Sequence, residues 1–516
     1  MSTPHRQPIR NEILHGITRS LCPECLQVVD AQVLLVRDGA PSEWPSEGDR
    51  APSEWPFEGN GALYLRKRCP EHGWHEALVS SDADWNLKAL KYNKPGAIPY
   101  DFATAVERGC PHDCGLCPEH KQHTCVGLIE ITNRCNLGCP ICFANSALTH
   151  PRRSQGTFQY KGKADLATSQ DKHPYDLSLA QVEAILDRFV ETEGRPEVLQ
   201  ISGGEPTLHP QILDIVAAAK ERDIRHVMLN TNGLRLAQDP DFVHQLAQHR
   251  PTIYLQFDGL TAATHQALRG RDLRAVKEQA LEHLAEASLD VVLVATVVQG
   301  VNEGQIGDLL RYGLEHPAVL GISYQPVTFA GRHKAHSDPL ARTTLTDVLH
   351  ALEEQTNGLF QVDDFIPVPC PHPDCSACTY AFVGDDRVIP LPRLVNVDDY
   401  LDFVTNRAAP NFSEEIQQAL EALWSMAAMV GTDKTTGKLT CVACGIDVPL
   451  PSDREKLKQH FFMVQVHGFM DAHTFDLKRL MKCCIHELLP DGRAVPFCAY
   501  NTLGYREEVR AAMGDT

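Results

Sequence analysis

No apolar run in this chain approaches the roughly 18 residues a helix needs to cross a bilayer; the best candidate, VVLVATVV at 291–298, has the length of a strand. Positive charge is also short. Against 67 Asp and Glu stand 48 Lys and Arg, a net charge of −19, which argues against nucleic acid, whose partners present basic faces. Residues 1–16 carry no apolar core, so no secretory signal is read there. Together these absences give a cytoplasmic protein, with a peripheral contact between an amphipathic surface and a membrane left open. A further absence is local: no cysteine occurs from 143 to 369.

Elsewhere cysteine is abundant, 18 in all among 516 residues, a length that supports about two to four domains. Disulfides are rare in a reducing cytoplasm. Cysteines gathered in C-x2-C and C-x3-C-x2-C groups beside Pro and Gly therefore read as metal ligands rather than as buried apolar side chains. Cys22 and Cys25 form CPEC, and Cys69 opens CPEH. Cys110, Cys114, Cys117 and Cys125 form a second group, and Cys135, Cys139 and Cys142 a third, in CNLGCPIC. Beyond the gap lie Cys370, Cys375 and Cys378, then Cys441 and Cys444, the adjacent pair Cys483 and Cys484, and Cys498. The third group is one short of the usual four ligands, and an open position at a metal is where chemistry happens.

The cysteine-free stretch alternates strands and helices. GLIEIT, VLQIS, HVMLNTNG, TIYLQFDG, DVVLVATVVQG and VLGISYQPVTF read as six strands, separated by helical patterns such as PQILDIVAAAKERD and RDLRAVKEQALEHLAEAS. Such alternation predicts an α/β fold with a parallel sheet and right-handed crossovers. Six units fall short of a closed eight-unit barrel, so an open, partial (β/α)6 barrel is expected over 127–340. Ligands of such sheets bind at the carboxyl ends of the strands. The cysteine triplet follows the first strand and SGGEP the second, so both should face one mouth.

The triplet Cys135, Cys139, Cys142, followed by Gly203, Gly204, Glu205 and Pro206 after the second strand, resembles the radical S-adenosylmethionine (SAM) superfamily over about residues 127–335. The resemblance implies a 4Fe–4S cluster on the three cysteines, with SAM on the fourth iron and reductive cleavage to a 5′-deoxyadenosyl radical. It implies close backbone approach at Gly203 and Gly204, and Glu205 as acceptor for the SAM ammonium. Ile141 and Phe143, where the superfamily often has an aromatic, would meet adenine. Asn230, Asn232, Gln256 and Asp258, at the ends of the third and fourth strands, are candidates for the same mouth, although each would also serve as a turn cap.

The flanks fill out the architecture. Residues 1–95 resemble a zinc-ribbon or rubredoxin-like knuckle, with Cys22, Cys25, Cys69 and His72 offering a Cys3His site for one zinc or iron; a surface role for His72 is the alternative. Inside it, APSEWPSEGDR and APSEWPFEGNG are a tandem repeat read as a duplicated loop. In 96–126, Cys110, Cys114, Cys117 and Cys125 suit an auxiliary 4Fe–4S cluster or a zinc. In 341–516, a cysteine-rich extension, Cys370, Cys375, one of Cys483 and Cys484, and Cys498 suit another.

This order of motifs resembles the subfamily of the tetraether lipid synthases, which includes a member described as a dihydro-hydroxymethylpterin methylase. That implies hydrogen abstraction from an unactivated carbon and carbon–carbon coupling of lipid chains. Radical methyl transfer to a pterin, or modification of another small molecule or a peptide, is the alternative. A zinc-ribbon binding protein is a third reading, which leaves SGGEP unexplained. A reductase or a ferredoxin- or flavodoxin-type electron donor would be a partner. Apolar stretches at 414–431 and 457–470 read as a tunnel lining or as helical core.

Overall fold

The computed structural model describes residues 11–37, 61–148, 175–333, 338–384, 387–393, 438–441, 446–449 and 460–514. Most of the tandem repeat, the stretch 414–431 and Cys444 lie outside the described residues. Of the stretch 457–470, the described part begins at 460.

Four antiparallel strands open the chain in sequential order: β1 (Asn11–Leu21), β2 (Val28–Arg37), β3 (Gly61–Cys69) and β4 (Gly73–Ser80). The turn after β1 carries Cys22 and Cys25, and the turn after β3 carries His72. This sheet is tied to the rest by Lys67. Its buried ammonium donates to Ser20 Oγ at 3.0 Å and to the carbonyls of Ala472 at 2.6 Å and His473 at 2.9 Å, and burial lowers its pKa to about 7.

The six expected strands form: β5 (Val126–Glu130), β6 (Val198–Ser202), β7 (His226–Thr231), β8 (Thr252–Gln256), β9 (Val291–Val297) and β10 (Val319–Pro326). They pair in parallel in chain order. The alternation has a physical cause in the two faces. Leu199, Ile201, Leu229, Ile253, Leu255 and Leu293 point to the helices and are fully buried, each worth about 1.5–3 kcal/mol of burial. Gln200, Met228, Asn230, Tyr254, Gln256 and Val292 point the other way, into a cavity.

The helices begin where caps allow. α1 (Leu179–Glu193) starts from a capping box, in which Ser178 N donates to Gln181 Oε1 at 2.9 Å and Ser178 Oγ accepts from Gln181 N at 3.3 Å. After α2 (Ile212–Glu221) and α3 (Pro240–Ala247), α4 (Ala262–Arg269) is capped by Thr261 and ends on Gly270 in the left-handed region. α5 (Arg274–Glu286), α6 (Ile306–Glu315) and α7 (Leu345–Gln355) complete the crossovers and their continuation.

The sheet does not stop at six. β11 (Ser376–Val383), β12 (Phe461–His467) and β13 (Ile485–Leu488) come from the C-terminal extension. β12 joins β10 in parallel, β13 joins β5 in parallel, and β11 pairs antiparallel with β12. The FFMVQVH run is therefore a strand, not a helical core. The parallel run is eight strands long, two of them from sequence far downstream. Residues of both flanks, Glu487 on β13 and Tyr380 and Gln465 on β11 and β12, line the same cavity, so the sheet curls around it. The described strands β11, β12 and β13, all from beyond residue 341, thus belong to the same sheet as β5 to β10. The chain closes with α8 (Tyr505–Gly514). Among the described residues no helix is long and apolar enough to cross a membrane.

Candidate active site

A cavity of about 510 Å³ fills the concave side of the sheet. At the carboxyl ends of the strands its wall contains Cys135, Cys139 and Cys142, with Ile141, Phe143, Gly203, Gly204, Glu205, Asn230, Asn232 and Gln256. The two motifs thus meet at one mouth. Their contact is backbone to backbone: Gly204 N donates to Thr132 O and Glu205 N to Arg134 O, both at 2.7 Å. A Cβ on Gly203, whose φ is +132°, would stand 2.3 Å from Thr132 O, and one on Gly204 would stand 2.1 Å from Arg134 O. The glycines let the two loops touch.

Glu205 is fully buried and already engaged. Its Oε1 accepts from Thr207 N at 3.2 Å, Thr207 Oγ1 at 2.6 Å and Thr231 Oγ1 at 2.7 Å; its Oε2 accepts from Asn232 N at 2.8 Å. Asn232 in turn donates from Nδ2 to Asn136 Oδ1 at 2.8 Å, inside the cysteine loop. Phe143 packs edge-on against Phe469 and Phe497, each with ring centroids 5.7 Å away.

Asp258 corrects the reading of the mouth. It does not line the cavity. Its carboxylate is completely buried and forked by Arg269, with Nε to Oδ2 at 2.6 Å and NH2 to Oδ1 at 2.5 Å, and it also accepts from Thr296 N at 3.0 Å. Burial would raise its pKa, but the Arg269 guanidinium holds it below the usual carboxylate range. Three of its acceptor positions are taken, two of them by Arg269. Arg269 also donates to the Ile141 carbonyl at 3.0 Å, so the ion pair braces the cysteine loop.

Three further arginines do the same, and the sequence reading did not find them. Arg332 Nε donates to Cys139 O at 2.8 Å, and its backbone bridges Cys142 in both directions at 2.8 and 2.9 Å. On α8, Arg506 donates to Phe143 O at 2.9 Å and Arg510 to Ala144 O at 2.7 Å. Both are anchored to the buried Glu130 at the end of β5, Arg506 at 2.9 Å and Arg510 at 3.6 Å. Four carbonyls of the cysteine loop, those of Cys139, Ile141, Phe143 and Ala144, are therefore each bonded to an arginine, which fixes its path and sets cationic groups beside it. A glutamate inside GLIEIT was the available signal.

The remaining cysteines sort differently from their sequence groups. Cys22, Cys25, Cys69 and His72 do come together, with their ligand atoms within 4.8 Å of one another. Cys125, expected with Cys110, Cys114 and Cys117, lies beside Cys370 and Cys484. Parallel pairing of β5 with β13 sets Cys125 N on the Cys484 carbonyl at 2.9 Å, and Cys125, Cys370 and Cys484 form a buried set within 4.8 Å. The adjacent pair is split: Cys484 belongs there, whereas Cys483, after burial, is pushed up by the charges of Cys498, Cys484 and Cys375. Cys370, expected with Cys375 and Cys498, lies within 4.8 Å of Cys125 and Cys484. Cys110, Cys114 and Cys117 keep a C-x3-C-x2-C spacing like that of the triplet. Cys441 ends a short strand, Lys438–Cys441, and Cys378 is a buried thiol on β11.

The Radical SAM superfamily model matches residues 129–313. Over 525 aligned residues the chain is 33% identical to the 7,8-dihydro-6-hydroxymethylpterin dimethyltransferase of Methanocaldococcus jannaschii, spanning 95% of this chain and 94% of that protein. It is 30% identical to the mycofactocin maturase MftC of Mycobacterium ulcerans over 197 residues, covering 38% and 45% of the two chains. With the GTP 3′,8-cyclase of Streptomyces coelicolor it shares 26% over 327 residues, 60% and 89% of the chains. Among solved structures, Streptococcus suis SuiB bound to SAM aligns with a TM-score of 0.34 and 18% identity over 46% and 47% of the chains. With the full-length match and the superfamily motifs meeting at one mouth, the chain belongs to the radical SAM superfamily, in the family of that pterin dimethyltransferase, and is a radical SAM enzyme.

Proposed function

We propose that this enzyme abstracts hydrogen from an unactivated carbon of a long aliphatic substrate and joins two such carbons, as the tetraether lipid synthases do. The observation that supports this is the length of the cavity. Its wall runs from Val126, Val198 and His226, at the amino ends of their strands, to the cysteines beyond the carboxyl ends. At about 3.3 Å per residue, strands of five to eight residues make that passage about 17–26 Å long. Leu128, Met228, Val292, Val294 and Met463 line its middle, a surface suited to methylene chains.

In this reading Cys135, Cys139 and Cys142 hold a 4Fe–4S cluster by three irons. The residues fit the group: three thiols share one cavity wall, and the loop carbonyls around them are already bonded to arginine. Bound there, cluster and SAM supply a carbon-centred radical when an electron arrives from a ferredoxin- or flavodoxin-type donor or a reductase. Glu205 keeps a free lone pair on Oε2 for the SAM ammonium, and Thr231 and Asn232 hold that carboxylate at the wall. Ile141, Phe143, Asn230 and Gln256 border the nucleoside or the reacting carbon. Phe469 and Phe497, packed edge-on against Phe143, exclude water beside it. Cys22, Cys25, Cys69 and His72 hold a single zinc or iron. Cys110, Cys114 and Cys117, and Cys375, Cys483 and Cys498, are the candidate ligands of auxiliary clusters.

A second reading, methyl transfer to a pterin, has its own observation. A belt of amides and hydroxyls crosses the cavity: Asn230 Nδ2 donates to Gln200 Oε1 at 3.2 Å, and Gln325 Nε2 to the Tyr254 hydroxyl at 3.2 Å, while Asn230 Oδ1 is buried without a partner. The deciding experiment is anaerobic turnover with SAM and dithionite on archaeal-type lipid extract or on a dihydropterin, read by mass spectrometry, with Val292→Trp as a plug in mid-passage. The lipid reading expects coupled chains from wild type and their loss in Val292→Trp, with substrate-free SAM cleavage retained. A methylated pterin without any lipid product would overturn it.

A further inference from the structure

Lys277, on α5, is completely buried, and among the described residues no carboxylate forms an ion pair with it. The acids whose charges reach it are engaged elsewhere, Asp258 by Arg269, and Glu205 by Thr207, Thr231 and the Asn232 N–H. Its Nζ donates to Asn232 O at 2.6 Å, which uses one of its three N–H bonds. The two other buried lysines among the described residues are held by more acceptors. Lys67 donates to three, and Lys482 to two, Asn93 Oδ1 and Lys94 O. An ammonium buried with so little around it is costly, and burial lowers the pKa of Lys277 to about 8. A neutral amide of similar length would make the same bond to Asn232 O without burying a charge. The charge therefore needs a reason beyond the bond.

Its position supplies one. The Asn232 residue is a junction: its backbone N–H goes to Glu205 Oε2 at 2.8 Å, its side-chain amide to Asn136 Oδ1 in the cysteine loop at 2.8 Å, and its carbonyl to Lys277. At the start of the same helix, Leu273 and Val276 pack with Cys135, Leu137 and Cys139. The charges that reach Lys277 include that of Cys139. The ammonium thus stands behind both the cysteine loop and the Glu205 carboxylate, shielded from water, where a charge acts over several ångströms with little screening. Arg269, Arg506 and Arg510 also border this loop, but each is paired with an acid, Asp258 or Glu130. A cubane held by three thiolates is an anion, and taking up an electron adds to its negative charge. A buried, unpaired cation favours both states, the reduced one more.

We propose that Lys277 is a positioning residue of the radical-initiating centre: it anchors the Asn232 junction between Glu205 and the cysteine loop, and its unpaired charge offsets the negative charge of the occupied cysteines and eases their reduction. The proposal rests on the reading of Cys135, Cys139 and Cys142 as cluster ligands and is independent of the substrate.

The test is a redox titration of the full-length protein, purified anaerobically, that follows the EPR signal altered by added SAM, with iron content and a melting curve for each variant. Lys277→Gln keeps a donor for Asn232 O without the charge, and Lys277→Arg keeps the charge. Lys277→Gln should retain its iron and be at least tenfold harder to reduce, a potential lower by about 59 mV for one electron. Lys277→Arg should hold its iron and stay closer to wild type than that. If Lys277→Gln loses its iron while Lys277→Arg keeps it, the charge is again what the site requires. Three results would overturn the proposal: a shift below tenfold in an iron-loaded Lys277→Gln, an equal shift in Lys277→Arg, or loss of fold or iron by both variants alike, the mark of a merely structural contact. The triple Ala variant of the cysteines should lack the SAM-sensitive signal. Its presence there would refute the cluster assignment and not the role of Lys277 alone.

Discussion

Replacing Arg269 with Gln tests the brace under the cysteine loop. The guanidinium is 5% exposed and its partner Asp258 is fully buried. Removing it leaves the carboxylate with the Thr296 N–H, at 3.0 Å, as its remaining donor, and strips the Ile141 carbonyl of its donor. Breaking a buried pair from one side costs about 3–5 kcal/mol, because the orphaned charge stays behind. Asp258→Asn in the same chain removes that charge, so the double variant should recover about 1–3 kcal/mol relative to the sum of the singles. Arg269→Lys keeps a cation beside Asp258 but cannot fork to the carboxylate and reach Ile141 together. It should retain most of the stability and still lose SAM affinity. The assay is anaerobic urea unfolding of the three variants and the double, with SAM binding measured on each. Destabilisation below about 1 kcal/mol by Arg269→Gln, or strict additivity in the cycle, would refute the reasoning.

Gly203→Ala should destabilise by more than about 1–3 kcal/mol and lower iron content by about one cluster, since its Cβ would meet Thr132 O at 2.3 Å in a left-handed backbone; iron content and melting curves check it. Asp471, fully buried, would be raised by that burial, but Arg342 at 2.8 Å holds it well below the usual carboxylate range. Its stabilisation is complete above the unfolded value of about 3.9 and is lost only as pH falls through the lower native value, so Asp471→Asn should flatten the acid limb of a stability–pH curve below about pH 4. Cys498→Ala, if folded by its melting curve, should still form 5′-deoxyadenosine from SAM but make little final product. Wild-type product yield would remove that cysteine from the later half of the reaction.

The six central strands were legible because short β-branched runs ended at Gly, Asn or Asp turns, and because one face had to meet helices. β12 and β13 were not. A seven-residue apolar run such as FFMVQVH has no period long enough to separate strand from helix, and its partner β10 lies more than 130 residues earlier. That the loops of Cys135, Cys139, Cys142 and of Gly203 and Gly204 meet at one mouth was legible, since both follow strands of one sheet. Elsewhere spacing suggested groups of cysteines but not that Cys125 and Cys484 would meet, which is set by the pairing of β5 with β13. Asp258 illustrates the opposite error. An acid at a strand's carboxyl end looks available until α4 brings Arg269 back over it, a tertiary fact. Arg506 and Arg510 sit in YREEVRAAM, which reads as a solvated helix, and only Glu130 hinted that buried cations were needed.

Whether Cys135, Cys139 and Cys142 form the radical-initiating centre is tested most directly by reductive SAM cleavage by the triple Ala variant under anaerobic dithionite. No 5′-deoxyadenosine should form, iron should fall by about one four-iron cluster, and metal held by the other cysteines should be retained. Formation of 5′-deoxyadenosine at the wild-type rate by that variant would contradict it.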